Sequence, residues 1–249
     1  MDTANQEKGR AVGIIMTYNC SHMVEDVYRR LPKELFYKII CVDDDSKDNT
    51  VEVARKLGIL TFTHAHAGYG GNLLFGLKKA VELGGTQMIE IHGDGQYDVV
   101  SGIPLALKKL NMGCDFLLGN RFYDIWQPFR DGMSLVQYAG NRFLSLLARV
   151  GTLIPLTDFF PGFRAYSKRF VETLDFSKTS KDYFFSFQII IQARYHGLRL
   201  CHVPIRCDYK REHTSISLTK GIWAIFQTSH AIILYWLALC GIKRGIFEE

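Results

Sequence analysis

The 249-residue chain is 47% hydrophobic and 22% charged, a balance that fits one large α/β domain with a full core better than two small domains. A formal charge of +5 favours an anionic partner, although charge alone does not distinguish membrane headgroups, nucleotides and nucleic acid. Six cysteines without a Cys-x-x-Cys pair and a polar segment at residues 1–10 predict a reduced, cytosol-facing protein with a flexible N-terminus, and they argue against secretion.

The first third of the chain alternates between strand and helix patterns. Residues 11–16 form a continuous apolar run typical of a buried parallel strand, and residues 23–31 show helical spacing. A second strand at 38–42 runs into the acidic turn 43–50, and helical spacing returns at 51–57. This order predicts a βαβ crossover with carboxylates at the carboxyl end of a strand, where open α/β sheets bind ligands.

A glycine-rich segment follows the third predicted strand at 59–63. Three glycines occur within residues 68–71, directly before a predicted helix at 73–83. We interpret this segment as a loop whose backbone approaches a ligand such as a diphosphate. It has neither the Lys-Ser/Thr ending of a P-loop nor the spacing of a dinucleotide fingerprint. The nearby His64 and His66 are interpreted as a solvated pair and not as a zinc site.

Polar side chains alternate with glycines after the apolar run 88–91. Period-two spacing would place His92, Asp94 and Gln96 on one side of an extended segment. An imidazole, a carboxylate and an amide oxygen suit a divalent ion such as Mn²⁺ or Mg²⁺ that also binds diphosphate oxygens. The alternative is a polar turn in which the glycines and Asp94 only shape the backbone.

The order of these motifs resembles the family-two glycosyltransferases of the GT-A fold, and most of all the dolichol-phosphate or polyprenyl-phosphate mannosyl- and glucosyltransferases. The resemblance extends over residues 12–217. It rests on seven segments: Thr17-Tyr18-Asn19, Val42-Asp43-Asp44-Asp45-Ser46-Lys47-Asp48, Gly68-Tyr69-Gly70-Gly71-Asn72, His92-Gly93-Asp94-Gly95-Gln96, Gly119-Asn120-Arg121-Phe122, Asp158-Phe159-Phe160-Pro161-Gly162-Phe163-Arg164 and Val203-Pro204-Ile205 followed by Tyr209-Lys210-Arg211. It implies an open, mostly parallel twisted sheet with flanking helices over residues 11–217, followed by an apolar helix within 218–249.

The resemblance also implies roles for individual residues. A nucleotide sugar, a GDP- or UDP-hexose, would be bound by Thr17, Tyr18, Asn19, Asp43, Asp44, Gly70, Gly71, Asn72 and Asp94. The metal ligands would be His92, Asp94 and Gln96. The acceptor phosphate would be met by Arg121, Arg130, Ser134 and Arg164, and the residues expected to carry catalysis are Asp94, Asp158 and Arg121. Guanidinium groups suit phosphate oxygens because they donate two parallel hydrogen bonds.

Four residues depart from the pattern of the family. His92 stands where the first Asp of the Asp-x-Asp metal motif is usual, and Gln188 stands where a Glu is expected. Met16 and Cys20 replace the usual Pro and Glu around the opening motif. These departures leave open how strongly the metal binds and which sugar is transferred.

Two segments of the second half carry apolar helical patterns. Residues 134–150 form an amphipathic helix. Residues 221–242 are long enough to span a bilayer, but Gln227, Thr228, Ser229 and His230 in the middle make a spanning helix unfavourable. We expect the tail to lie in the membrane interface, with a helix docked on the core as the rival interpretation.

The sequence therefore predicts an inverting, metal-dependent transfer of a hexose to a polyprenyl phosphate by a cytoplasmic protein that binds the membrane peripherally. One alternative is transfer to a hydroxyl of a glycan or lipid, which would need a base, and Asp158 is the candidate. The other is a protein that binds nucleotide sugars without turnover. Nucleic acid is not expected as a partner, and a homo-oligomer is compatible with the pattern.

Overall fold

A seven-stranded sheet forms the centre of the protein in the computed structural model, which describes residues 9–210 and 218–248. The strand order is β3-β2-β1-β4-β6-β5-β7, and the predicted open, mostly parallel sheet is confirmed. The flexible segment predicted at 1–10 falls mainly on residues outside this description, as does the end of the predicted domain at 211–217. The strands are β1 Ala11–Thr17, β2 Lys38–Asp43, β3 Leu60–Thr63, β4 Gln87–His92, β5 Phe116–Asn120, β6 Arg164–Ser167 and β7 Leu200–Pro204.

Helices cover both faces of the sheet. They are α1 Ser21–Arg30, α2 Thr50–Lys56, α3 Gly68–Glu82, α4 Val99–Asn111, α5 Gln127–Arg130, α6 Leu135–Thr152, α7 Lys168–Thr173, α8 Phe185–Tyr195 and α9 Leu218–Leu239. All seven residues of β1 are buried. Val12, Ile14 and Met16 belong to one apolar cluster, whereas Ile15 belongs to another. Alternate side chains of a strand point to opposite faces, so β1 separates two cores.

The antiparallel strand β6 brings three loops to one edge of the sheet. It pairs with β4 and β5, and Arg164 at its start lies opposite Glu90 of β4 and Leu118 of β5. An antiparallel strand begins at the edge where its parallel neighbours end. The segments that follow β4 and β5 therefore meet the segment that precedes β6, and the Tyr97 hydroxyl accepts a hydrogen bond from the Gly162 amide across this edge at 2.6 Å.

The glycine-rich segment is part of a helix and not the predicted loop. α3 begins at Gly68 instead of residue 73. A Cβ atom at Gly70 would lie 2.8 Å from the Phe185 side chain, and one at Gly71 would lie 2.5 Å from the Ala67 side chain. These glycines thus allow close packing within the protein, and the predicted approach of a diphosphate to their backbone is not supported.

Gly70→Ala should lower the free energy of unfolding by about 1 to 3 kcal/mol, because the added methyl group overpacks the contact between α3 and Phe185. Gly140→Ala is the matched control. Gly140 also lies in a helix, but a Cβ there would meet nothing within 4 Å. That change should stabilise the protein by about 0.5 to 1 kcal/mol, since alanine loses less backbone entropy. Chemical denaturation measures both, and equal effects would contradict the packing role of Gly70.

Helix α6 presents an apolar stripe to solvent. Ser134 caps its first turn and forms a capping box with Gln137. Its buried residues are the small Ser145, Ala148 and Thr152. Most of its large apolar side chains are exposed instead, and we call the following four the outward face of α6: Leu135, Phe143, Leu146 and Val150. The predicted amphipathic helix is therefore present, with its apolar side turned away from the core.

Helix α9 both docks on the core and exposes apolar residues. Thr228, Ala231, Tyr235 and Ala238 are buried along one side, and the helix packs against α6 and α8. Six large apolar side chains of α9 are exposed: Ile222, Trp223, Phe226, Ile233, Trp236 and Leu239. The segment Gly221–Leu239 has a mean hydropathy of 1.5, and by length and composition alone it is long and apolar enough to cross a membrane. The docked and interfacial interpretations of the tail are thus compatible.

Two cysteines depart from the expectation of free thiols. The structure joins Cys114, just before β5, to Cys201 of β7 as a disulfide with a Cα–Cα distance of 6.1 Å. β5 and β7 are parallel neighbours, and their register places Leu117 opposite Cys201. Cysteines 87 residues apart in sequence are thereby brought together by strand pairing that no local motif indicates. The prediction of reduced thiols is wrong for this pair.

Candidate active site

The two motifs predicted to bind the nucleotide are hydrogen-bonded to each other at the ends of β1 and β2. The Thr17 hydroxyl donates to Asp43 Oδ1 at 2.9 Å, and both residues are buried. The Asn19 side-chain oxygen accepts from the Lys47 amide at 2.7 Å, and Asn19 adopts a φ of 50°. Thr17 and Asp43 therefore engage their polar atoms with each other, whereas Asn19 is exposed and links the turns that follow β1 and β2.

Asp44 anchors the start of α3. Its carboxylate accepts hydrogen bonds from the Ala67 and Gly68 amides at 2.7 and 3.0 Å and lies 2.9 Å from His66 Nδ1. An anion at this end of a helix is stabilised by unpaired amide groups. Asn72 is buried and its side-chain oxygen contacts His64 Nε2 at 3.0 Å. Asp44 and Asn72 thus hold the start of α3 against the acidic turn, and each of them contacts one of the two histidines.

Among the residues predicted to bind the nucleotide sugar, Tyr18 has a solvent-exposed aromatic ring. It is 51% exposed and lies against His66 with 4.9 Å between ring centroids. An exposed aromatic ring held by a neighbour offers a planar surface on which a nucleobase can stack.

The three predicted metal ligands do not lie along one extended segment. His92 is the last residue of β4, and Asp94 and Gln96 lie in the turn that comes after it. Gly95 has a φ of 63°. The period-two argument fails after His92 because the backbone turns there. Asp94 Oδ1 accepts the Gln96 amide at 3.0 Å, and the buried Gln96 Nε2 has no hydrogen-bond partner within the described part of the chain.

These three residues fit a divalent ion whose coordination shell is completed by diphosphate oxygens. The described ranges contain no group of three His, Cys, Asp or Glu residues that could hold a metal alone, so such an ion would depend on the Gln96 amide and on ligand oxygens. The unpartnered Gln96 Nε2 is a hydrogen-bond donor, so it suits a diphosphate oxygen, whereas the carboxamide oxygen of the same side chain would be the metal ligand. Carboxylate, amide and phosphate oxygens suit Mg²⁺ and Mn²⁺, and the imidazole adds one nitrogen ligand.

A buried ionic network lies below this turn. Glu90 of β4 is 0% exposed and accepts hydrogen bonds from the Tyr69 and Tyr166 hydroxyls, each at 2.6 Å. Its carboxylate lies 3.8 Å from Arg164 Nη1. Burial opposes the charge, but Arg164 and the hydrogen bonds from His92 and Tyr166 outweigh it and keep the pKa of Glu90 below its usual value.

Arg164 belongs to this network. Its guanidinium donates to the Tyr69 hydroxyl and its side chain is almost completely buried. The structure thus commits Arg164 to Glu90 and Tyr69, and it does not support the predicted contact between Arg164 and an acceptor phosphate. Glu90 itself was missed by the sequence analysis, although a carboxylate inside an apolar strand is a signal of a buried network.

Arg121 and Asp158 form a buried ion pair at the end of β5. Arg121 Nε and Nη2 donate to the two oxygens of Asp158 at 2.7 and 2.9 Å. Burial opposes the charge of Arg121, but Asp158 holds the pKa of the guanidinium well above its usual value. Nη1 and Nη2 also reach the Tyr209 hydroxyl at 3.0 Å and the Asn141 oxygen at 3.3 Å. Tyr209 and Asn141 were not predicted, since only the fold brings them here.

Arg130 and Ser134 lie on the more open part of this edge. The Arg130 side chain is 65% exposed, and its Nη1 is 3.7 Å from Asp124. The Ser134 hydroxyl accepts from the Gln137 amide at 3.2 Å as the cap of α6. Arg130 is therefore available to an incoming ligand, whereas Ser134 has a structural role that the sequence did not indicate. Gln188 accepts the Ser180 amide at 2.7 Å, so it fixes the segment before α8.

An open sheet of this topology, with polar loops gathered at one edge, has the GT-A-like architecture. Glucosyl-3-phosphoglycerate synthase from Mycobacterium tuberculosis, solved in complex with Mn²⁺, UDP and glucosyl-3-phosphoglycerate, superposes with a TM-score of 0.65. The superposition covers 95% of this chain and 81% of that one at 16% sequence identity, and it supports the fold alone.

Sequence comparison identifies the family. The model described as Glycosyl transferase family 2 matches residues 14–175. The chain belongs to this family, and it is a glycosyltransferase. It is 30% identical to an uncharacterized protein from Methanocaldococcus jannaschii over 84% of each chain. It is also 28% identical to the UDP-N-acetylglucosamine–dolichyl-phosphate N-acetylglucosaminyltransferase of Methanococcus voltae, over 84% of this chain and 88% of that protein.

Proposed function

We propose that this glycosyltransferase moves a hexose, with inversion, from a GDP- or UDP-sugar to a polyprenyl phosphate at a membrane surface. The observation that carries the proposal is the buried pair of Arg121 and Asp158. It provides a cation at the site edge and engages both oxygens of the carboxylate that a hydroxyl acceptor would need as a base. The similarity to the dolichyl-phosphate transferase of Methanococcus voltae supports the same acceptor class.

The protonation state of the acceptor makes a protein base unnecessary. A phosphate monoester has a second pKa of about 6, so its nucleophilic oxygen is already ionised at neutral pH. A hydroxyl acceptor would require proton removal, and the Asp158 side chain is 0% exposed and bound to Arg121. The hydroxyl alternative therefore lacks a free base at the position where the sequence analysis placed one.

Binding of the donor base, of the acceptor phosphate and of the metal is assigned to separate residues. Tyr18 would stack on the base of the donor, and Arg130 would bind the acceptor phosphate from the exposed side. Arg121, whose guanidinium is held by Asp158, Tyr209 and Asn141, would contribute its positive charge from the inner side. Asp94, Gln96 and His92 would hold the divalent ion. When bound, this ion supplies Lewis-acid stabilisation to the leaving diphosphate, a contribution worth several kcal/mol.

The exposed apolar surface of the helices supports a peripheral position on the membrane. The outward face extends along the length of α6. In the first half of this helix Asn141 accepts a hydrogen bond from Arg121, and near its end the Gly151 carbonyl accepts one from the Trp236 indole of α9. Burying such a surface in the interface is favourable, and the net charge of +5 adds attraction to anionic headgroups.

Replacing Phe143 and Leu146 of the outward face by glutamate should reduce sedimentation with anionic liposomes at least about tenfold, because each side chain loses roughly 1.5 kcal/mol or more of apolar burial. The matched control replaces Val100 and Leu105, exposed apolar residues of α4, by glutamate and should leave sedimentation unchanged. Equal losses in both pairs would contradict docking through α6. Resistance of the wild type to alkaline carbonate extraction would instead indicate a spanning α9.

A panel of UDP- and GDP-sugars, including UDP-N-acetylglucosamine, tests the proposed reaction with and without a polyprenyl phosphate. We expect donor consumption to require the lipid phosphate and a divalent ion. Product formation on a free glycan hydroxyl, with no response to polyprenyl phosphate, would favour the alternative acceptor. Donor binding without transfer under every condition would favour the non-catalytic interpretation.

A further inference from the structure

The Nε2 edge of the His92 ring is enclosed by protein. Nε2 lies 2.9 Å from Glu90 Oε1. A Cβ atom added at Gly162 would lie 3.0 Å from Nε2 and 3.1 Å from Cε1, so the Gly162 backbone covers the same edge. The side chain is nevertheless 24% exposed, which leaves an opening on another side of the ring.

The partners of Glu90 determine which nitrogen of His92 carries the proton. An ionised carboxylate can only accept hydrogen bonds, and it accepts from Tyr69, Tyr166 and His92 while facing Arg164. A neutral His92 must therefore hold its proton on Nε2. The lone pair is then on Nδ1, for which the described ranges 9–210 and 218–248 provide no hydrogen-bond partner.

We propose that Glu90 is a positioning residue for metal binding, which fixes His92 in the tautomer that presents the Nδ1 lone pair to the cation. A carboxylate that accepts the second N–H of a ligating histidine orients the ring and raises its basicity. Tyr69, Tyr166 and Arg164 in turn hold Glu90. The inference rests on the proposed metal-dependent function, and it concerns this chain's own substitution of a histidine for the usual aspartate.

The assignment has a consequence for metal preference. A site with one imidazole nitrogen is less suited to Mg²⁺, which prefers oxygen ligands in near-ideal octahedral geometry, than to a transition metal such as Mn²⁺. Wild-type protein should therefore bind Mn²⁺ more tightly than Mg²⁺. His92→Asp, which restores an oxygen ligand, should narrow this difference.

Pulsed electron paramagnetic resonance of the full chain loaded with Mn²⁺, alone and with UDP or GDP, tests the coordination directly. We expect a nitrogen coupling from a directly bound imidazole, which changes when histidine is labelled with the heavy nitrogen isotope and is absent in His92→Asp. Glu90→Gln should lower Mn²⁺ affinity by about ten- to a hundredfold and weaken the coupling, because a neutral amide is a poorer acceptor for the Nε2 proton.

Two further variants separate positioning from folding. Glu90→Asp keeps the negative charge next to Arg164 but withdraws the oxygen from His92, so it should reduce Mn²⁺ affinity while retaining a cooperative melting transition. Glu82→Gln is the matched control, since Glu82 is exposed and its ion pair among the described residues is with Lys79, and it should leave Mn²⁺ affinity and nitrogen coupling unchanged.

The possible results distinguish this inference from the proposed function. Mn²⁺ bound without nitrogen coupling, or full affinity and coupling in both Glu90 variants, would overturn the role of Glu90 and leave the transfer reaction intact. Failure of the folded wild type to bind Mn²⁺ with either nucleotide would contradict both.

Discussion

Asp94→Asn should lower the rate of sugar transfer by about two to three orders of magnitude, because it removes the only carboxylate among the three predicted metal ligands. Stabilisation of a leaving diphosphate by a metal is worth several kcal/mol, and each 1.4 kcal/mol corresponds to a factor of ten. Affinity for Mn²⁺ and for the nucleotide sugar should fall together. Steady-state kinetics and calorimetric titration of both ligands measure these effects.

The control for this substitution is Asp175→Asn. Asp175 is exposed and accepts hydrogen bonds from Ser177, and its replacement should leave transfer unchanged. Retention of wild-type Mn²⁺ affinity and turnover in Asp94→Asn would remove Asp94 from the site. A loss of the melting transition in Asp94→Asn would point to a role in the turn itself.

Arg121→Met should both destabilise the protein and impair the acceptor step. Without Arg121 the Asp158 carboxylate is buried and uncompensated, which costs about 3 to 5 kcal/mol of unfolding free energy. Loss of the positive charge of Arg121 beside the phosphate should reduce transfer to polyprenyl phosphate by about ten- to a hundredfold. Donor affinity in the folded fraction should be unchanged. Denaturation curves, transfer assays and nucleotide titrations measure the three quantities.

The double variant Arg121→Met/Asp158→Leu separates the two roles of Arg121. Replacing a buried ion pair by apolar residues of similar volume often restores stability. We expect the double variant to unfold near the wild-type midpoint while transfer stays low. Recovery of transfer together with stability would show that Arg121 acts only through folding, and it would remove the main support for a phosphate acceptor.

The strands and helices that carry strong periodicity were predicted within a few residues. The run 11–16 became β1 and the spacing at 51–57 became α2, because apolar periodicity is a local property. The structural role of the glycines at 68–71 was ambiguous in the sequence. Gly70 is consistent in sequence with a ligand loop or with close helix packing, and only the position of Phe185 decides between them.

Contacts between distant segments could not be predicted from local patterns. Arg164 and Ser134 were assigned to the acceptor because their motifs resemble the family, but the structure engages the first with Glu90 and the second with Gln137. The pairing of Arg121 with Asp158, 37 residues away, depends on the antiparallel insertion of β6. The sequence thus indicated which side chains gather at the edge, and the fold determines which of them have free polar atoms.

The position of β6 in the sheet also has a consequence for the order in which the protein can assemble during synthesis. Strands β3, β2, β1 and β4 are neighbours in the sheet and come from residues 11–92, so they can pair before the rest of the chain has left the ribosome. Arg121 must wait for Asp158 and for Tyr209, which is 88 residues further along. The part of the sheet that carries Thr17 and Asp43 can therefore form early, whereas the part that carries Arg121 remains open and exposes an unpaired cation until nearly the whole domain has been made.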